Sequence, residues 1–259
     1  MENERVITSL ESMHIKDAEQ SDDTCLADDY EDLEHVVFLS KESGCYNIRC
    51  FDETELIVEN LVTGKKKTLA KLFISLEPHV SLILNILEPE WIEHMLKLGQ
   101  TRWVSSQTSK GRASSHPDSY STQLSRTRRS KSVVFQHAET EIIAQIEQRV
   151  ALVAGVDVSY LENLVMVKYN PNDYFKEHHD GPFRSHTILL YLNDVEGGET
   201  VFPNLNMAVK PVANSGLYWR NTNDDGTANF AMIHAGTSPK KGTKYVVNCF
   251  FNVNQVRSQ

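Results

Sequence analysis

The sequence predicts an α+β, mainly β fold: a β-sandwich or jelly-roll core with N-terminal packing helices, plus a small β-rich N-terminal segment. Three observations predict it. From Leu164 onward the chain breaks into short β-like runs divided by Pro171-Asn172, Gly197-Gly198, Pro203-Asn204 and Asp224-Asp225-Gly226, with no helical pattern among them. Two helical patterns precede those runs. A chain of 259 residues that is 40% hydrophobic can bury a substantial core, which excludes wholesale disorder.

The elements follow in order. Residues 1–34 hold 12 acidic and 2 basic residues, whereas the whole chain holds 35 and 26, so the net charge of −9 belongs to an acidic N-terminal tail. Its few large apolar residues cannot offset the entropy of ordering, and a disordered tail is expected. Residues 35–78 carry β-like runs at Val36–Ser40, Tyr46–Phe51, Glu55–Val62 and Thr68–Ile74. They form either a small separate module or extra strands on the main sheet. Pro89 opens a helix that ends at Gly99, with Pro in the first turn and an acidic start. Ile142, Ile143, Ile146, Val150 and Val153 recur at helical spacing before a stop at Gly155. The strands expected beyond are Leu164–Tyr169, Ser185–Leu192, Met207–Val212, Gly216–Arg220, Ala231–His234 and Thr243–Val253.

Between the helices, Ser105–Ser132 is rich in Ser, Thr and basic residues. Its one aromatic is Tyr120, too little stacking surface to favour a nucleic-acid partner. No run approaches the ~20 apolar residues of a membrane span, and Met1–Arg5 leads into no signal-peptide core. Cys25, Cys45, Cys50 and Cys249 contain no C-x-x-C pair, as suits a reducing compartment. A cytoplasmic or otherwise intracellular protein with no membrane partner is expected; the sequence leaves its oligomeric state open.

The chemistry gathers around Glu177-His178-His179-Asp180. Side chains two apart on a strand share a face, so His178 and Asp180 can converge on one ion. His179 is the poorer choice, because its partner two places on is Gly181. A third ligand is available in His234, 56 residues later. Two His and one carboxylate leave one face of an octahedral ion open, the arrangement used by non-haem Fe(II) oxygenases. Ten residues beyond lies Lys244, on a strand face with Val246, Asn248 and Phe250. A lysine directed into an apolar barrel is costly unless it meets an anion, and the far carboxylate of 2-oxoglutarate is such a partner.

From about Val80 to Val253 the chain resembles the prolyl 4-hydroxylases, of catalytic-subunit type, within the Fe(II)/2-oxoglutarate dioxygenase superfamily. The resemblance is carried by Arg128-Arg129-Ser130-Lys131-Ser132, Glu177-His178-His179-Asp180, the stretch Leu190–Pro203 with its Gly197-Gly198, and His234-Ala235-Gly236 with Lys244. It implies a dioxygenase domain over residues 79–259 whose jelly roll is a double-stranded β-helix, with Fe(II) held by His178, Asp180 and His234 and 2-oxoglutarate held by Lys244 and Tyr169. Tyr191 and Thr187, on one strand face, are further candidates for 2-oxoglutarate. Arg128, Ser130, Glu162, Arg184 and Phe250 fall where such enzymes hold the peptide, and Ser105–Thr127 where they carry a mobile loop. The implied reaction hydroxylates a proline-containing peptide or protein, consumes O2, releases succinate and CO2, and uses ascorbate as reductant. Phe250 and Phe175 stand where the family often has Trp and Tyr, so an oxygenase acting on another residue or a non-peptide substrate stays open. So does a non-catalytic jelly-roll binding module.

Overall fold

The computed structural model describes residues 35–37, 52–59, 66–110 and 121–257. The tail 1–34 and the expected run Tyr46–Phe51 lie outside them, as do residues 111–120 of the basic segment. Strands β1 (His35–Val37), β2 (Asp52–Glu59), β3 (Lys66–Ser75) and β4 (Val80–Leu84) precede helix α1 (Pro89–Gly99). Strands β5 (Val104–Ser105), β6 (Thr108–Lys110), β7 (Ser121–Gln123), β8 (Arg128–Arg129) and β9 (Lys131–Val134) lead to helix α2 (Glu141–Ala154). The remainder is β10 (Val165–Tyr169), β11 (Tyr174–His178), β12 (Arg184–Tyr191), β13 (Glu196–Gly197), β14 (Thr200–Phe202), β15 (Met207–Val209), β16 (Ser215–Arg220), β17 (His234–Gly236), β18 (Pro239–Lys241) and β19 (Lys244–Asn252).

Two sheets make the jelly roll. One runs β2-β3-β4-β16-β12-β19-β10-β9-β5, the other β1-β15-β14-β17-β11-β8. Alternation along the larger sheet separates two cores. Val167, Leu189, Leu217, Trp219 and Val246 face Phe202, Met207 and Val209 of the smaller sheet. Ile188, Leu190, Tyr218 and Val247 face outward onto Trp91 and Met95 of α1 and Ile143, Ile146 and Val150 of α2. β4 is buried along its whole length because it has a core on each side.

The helices form where the pattern places them. The Thr140 side chain caps α2 by accepting from Ile143 N, and Gly155 closes it at φ +68°. Arg149 ties the pair together, bonding Glu88 and stacking 4.6 Å over Trp91. Within the described part of 35–78, β2 and β3 extend the larger sheet through β4, with β2 paired to β3, β3 to β4 and β4 to β16, whereas β1 joins the smaller sheet by pairing with β15. The expected strand Ala231–His234 is displaced. Phe230–Met232 is instead a 3-10 turn capped by Asn229, and the strand begins at His234.

Candidate metal centre and cosubstrate pocket

β11 ends at His178 and β17 begins at His234, and the two residues pair directly across the smaller sheet. Asp180 follows two residues after His178. The three ligand atoms lie within 4.8 Å of one another, with Asp180 Oδ1 3.7 Å from His178 Nε2 and 3.8 Å from His234 Nε2.

Hydrogen bonding sets the tautomers. His178 Nδ1 lies 2.9 Å from Lys176 O, and His234 Nδ1 lies 2.9 Å from Met232 O. A carbonyl only accepts, so each Nδ1 carries the proton and each Nε2 turns a lone pair toward Asp180. Burial, aided by His234, pushes the His178 imidazole well below its ordinary pKa and so favours the neutral form. At Asp180 burial opposes ionisation, but His234, His178, Arg184 and the Thr187 hydroxyl outweigh it and hold the carboxyl below the usual range. Two imidazoles and a carboxylate are the donor set a divalent iron takes.

Aromatic rings hold the imidazoles in place. Phe175 stacks on His178 with centroids 3.5 Å apart, and the Arg128 guanidinium lies 4.6 Å from the Phe175 ring centre. Trp219 meets His234 edge-on at 4.8 Å.

A cavity of about 620 Å3 opens over this trio, and Lys244, Val246, Asn248 and Phe250 line it together, as their shared strand face predicts. Lys244 is 2% exposed, and its ammonium lies 5.5 Å from the Tyr169 ring and 5.6 Å from the Tyr191 ring. It makes no ion pair among the described residues. Burial pulls its pKa down to about 8, with Glu199 opposing the shift. The Gly197-Gly198 turn runs beside it. Both residues have positive φ, and a Cβ would sit 2.8 Å from Lys240 N at Gly197 and 3.1 Å from Lys244 Cδ at Gly198.

Of the residues singled out in the sequence, His178, Asp180, His234, Lys244, Tyr169, Arg128, Arg184 and Phe250 line one cavity. Four others stand behind it. The Thr187 hydroxyl donates to Asp180 Oδ2 at 2.7 Å and the Tyr191 hydroxyl to Thr200 Oγ1 at 2.7 Å, so each already has a protein partner, and neither residue lines the cavity. Ser130 accepts from Arg128 Nε and donates to Ser106, which orients the arginine. Glu162 receives a bidentate pair from Arg184, whose guanidinium lies 3.8 Å over Phe250. Trp219 and its partner Asn221 were not singled out. The available signal was Trp219's alternation with Tyr218 on a strand, together with an indole N–H that needs a buried acceptor.

Residues 164–252 match the model of the 2OG-Fe(II) oxygenase superfamily. The matched segment includes His178, Asp180, His234 and Lys244. The chain is also similar to prolyl 4-hydroxylases. It is 26% identical over 214 residues to probable prolyl 4-hydroxylase 3 of Arabidopsis thaliana, covering 71% of this chain and 72% of the relative. It is 27% identical over 188 residues to prolyl 4-hydroxylase subunit alpha-1 of Gallus gallus, covering 66% of this chain but 35% of that longer protein. Among solved structures, the viral collagen prolyl hydroxylase of Paramecium Bursaria Chlorella virus-1 superposes with a TM-score of 0.53 at 20% identity, over 66% of this chain and 94% of that one. It shares the jelly-roll fold.

Proposed function

We propose that the protein is an Fe(II)- and 2-oxoglutarate-dependent hydroxylase of peptidyl proline. The observation that carries the reading is a trio of two imidazoles and a carboxylate lining a cavity that is also lined by a buried lysine with no ion-pair partner among the described residues. Bound there, Fe(II) with 2-oxoglutarate supplies the oxidising chemistry, in which O2 and the keto acid become succinate, CO2 and one oxygen atom inserted into a C–H bond.

The chain's own residues bind, orient and exclude. His178, Asp180 and His234 hold the ion. Lys244 pairs with the far carboxylate of 2-oxoglutarate, a charge-assisted contact worth about 1.5–3 kcal/mol, and Tyr169 lies beside it. Leu189, Val246, Trp219 and Phe175 give the cavity apolar walls that keep water from the reacting centre. At the substrate side Arg128 and Arg184 present guanidinium groups, and Phe250 offers a flat ring for a pyrrolidine to rest on. The prolyl 4-hydroxylase relatives support proline as the target, and ascorbate is proposed as the reductant.

One observation favours a second reading. Arg184 already covers Phe250 at 3.8 Å, which narrows the wall a proline would use and suits a different target side chain. A peptide library incubated with Fe(II), 2-oxoglutarate and ascorbate, read by mass spectrometry, separates the two. Proline hydroxylation with matching succinate is expected. Oxygen on another residue would select the second reading, and no succinate with any peptide would sink both.

A further inference from the structure

Behind Asp180 runs a chain of buried hydrogen bonds whose direction is fixed at every link. Trp219 Nε1 donates to Asn221 Oδ1 at 2.8 Å. An indole N–H can only donate, so the oxygen of the Asn221 amide must face Trp219 and the nitrogen must face the other way. That nitrogen donates to Thr187 Oγ1 at 2.9 Å. The Thr187 hydroxyl, already accepting, has one proton to give, and it goes to Asp180 Oδ2 at 2.7 Å. Thr187 and Trp219 are directly opposed on the central strands β12 and β16, and Thr187, Trp219 and Asn221 are 0–1% exposed. Water has no access to these links, so none of them can reverse without leaving a buried group unpaired.

We propose that Trp219, Asn221 and Thr187 form a positioning relay that presents Asp180 to the ion through Oδ1 alone. With Oδ2 held by a donor, the carboxylate turns one oxygen toward His178 Nε2 and His234 Nε2. This matters for the chemistry because a bidentate carboxylate would occupy a coordination position that 2-oxoglutarate and O2 require. Trp219 acts twice, since the same indole that starts the relay packs against the His234 ring at 4.8 Å. None of the three residues is placed to touch substrate through its relay atoms; each acts through Asp180 or His234.

The inference rests on the reading of His178, Asp180 and His234 as metal ligands, and Co(II) binding to the full-length protein separates the two. Thr187→Val keeps the shape of the side chain and removes the hydroxyl. It should weaken Co(II) binding, measured by calorimetry, by about 10- to 100-fold. It should also change the Co(II) absorption spectrum, which reports coordination number and geometry. Thr187→Ser restores the donor and should return both readouts to near wild type, a rescue that a merely space-filling role for Thr187 would not require. Trp219→Phe keeps a ring against His234 but frees Asn221 to turn over; it should give a smaller loss in affinity, and it carries the test if Thr187→Val does not fold. Wild-type affinity and spectrum in a folded variant would overturn the relay and leave the metal site standing. Failure of the wild-type protein to bind Co(II) would overturn the metal site itself.

Discussion

Replacing Lys244 with Met separates the cost of burying a cation from its use. The side chain is 2% exposed, and burial lowers its pKa from 10.5 to about 8. A shift of that size corresponds to about 3 kcal/mol of destabilisation by the charged form. The sign follows from proton counting. Between pH 8 and 10.5 the unfolded chain binds more protons at this group than the folded one, so the penalty is complete below pH 8 and released as the pH rises toward 10.5. Met keeps the stem and removes the charge. Cosubstrate-free Lys244→Met should therefore melt higher than wild type at pH 7, by up to about 6–12 °C for a domain of this size. The difference should fade by pH 10.5. The same variant should lose the thermal shift that 2-oxoglutarate gives the wild type, and its KM for 2-oxoglutarate should rise by about 10- to 150-fold. In the wild type that KM should be flat below pH 8 and climb above it. Scanning calorimetry across pH and succinate release against cosubstrate concentration read these effects. A folded Lys244→Met with an unchanged KM would refute the assignment, and a lowered melting temperature at pH 7 would refute the energetics.

Further outcomes follow from the surrounding structure. Arg184→Ala leaves Glu162 without its bidentate partner and should cost about 3 kcal/mol in urea unfolding, with loss of activity but little change in Co(II) affinity. Gly197→Ala combines a positive φ with a Cβ 2.8 Å from Lys240 N. It should destabilise by about 2 kcal/mol and raise the 2-oxoglutarate KM, because the turn lies against Lys244. Thr140→Ala removes the N-cap of α2 and should cost about 1 kcal/mol in urea unfolding without affecting metal binding.

What the sequence discloses follows from what local periodicity encodes. The α2 stripe of Ile143, Ile146 and Val150, with its stop at Gly155, is visible because spacing and stop lie within one segment; the Thr140 cap is added by the structure. Alternation on a strand likewise places Lys244, Val246, Asn248 and Phe250 on one face, and the structure sets all four in the cavity. Alternation gives face but not depth. Thr187, Leu189 and Tyr191 share a face of β12, yet only Leu189 reaches the cavity, because Thr187 sits under Asp180 and the Tyr191 hydroxyl is bound to Thr200. Glu162 and Ser130 are typical polar residues in sequence; only long-range packing makes them supports for Arg184 and Arg128. The pairing of β4 with β16, which carries β3 onto the larger sheet, joins residues more than a hundred positions apart. No local pattern distinguishes it from a separate module.

The proposed function requires that His178, Asp180 and His234 hold an iron that 2-oxoglutarate chelates beside Lys244. An anaerobic titration of the purified protein with Fe(II) and 2-oxoglutarate tests it most directly, because a chelated keto acid on Fe(II) produces a visible charge-transfer band. One equivalent of band is expected, absent in His234→Ala and requiring much more 2-oxoglutarate in Lys244→Met. A folded wild-type protein that develops no band at saturating Fe(II) and 2-oxoglutarate would contradict the account.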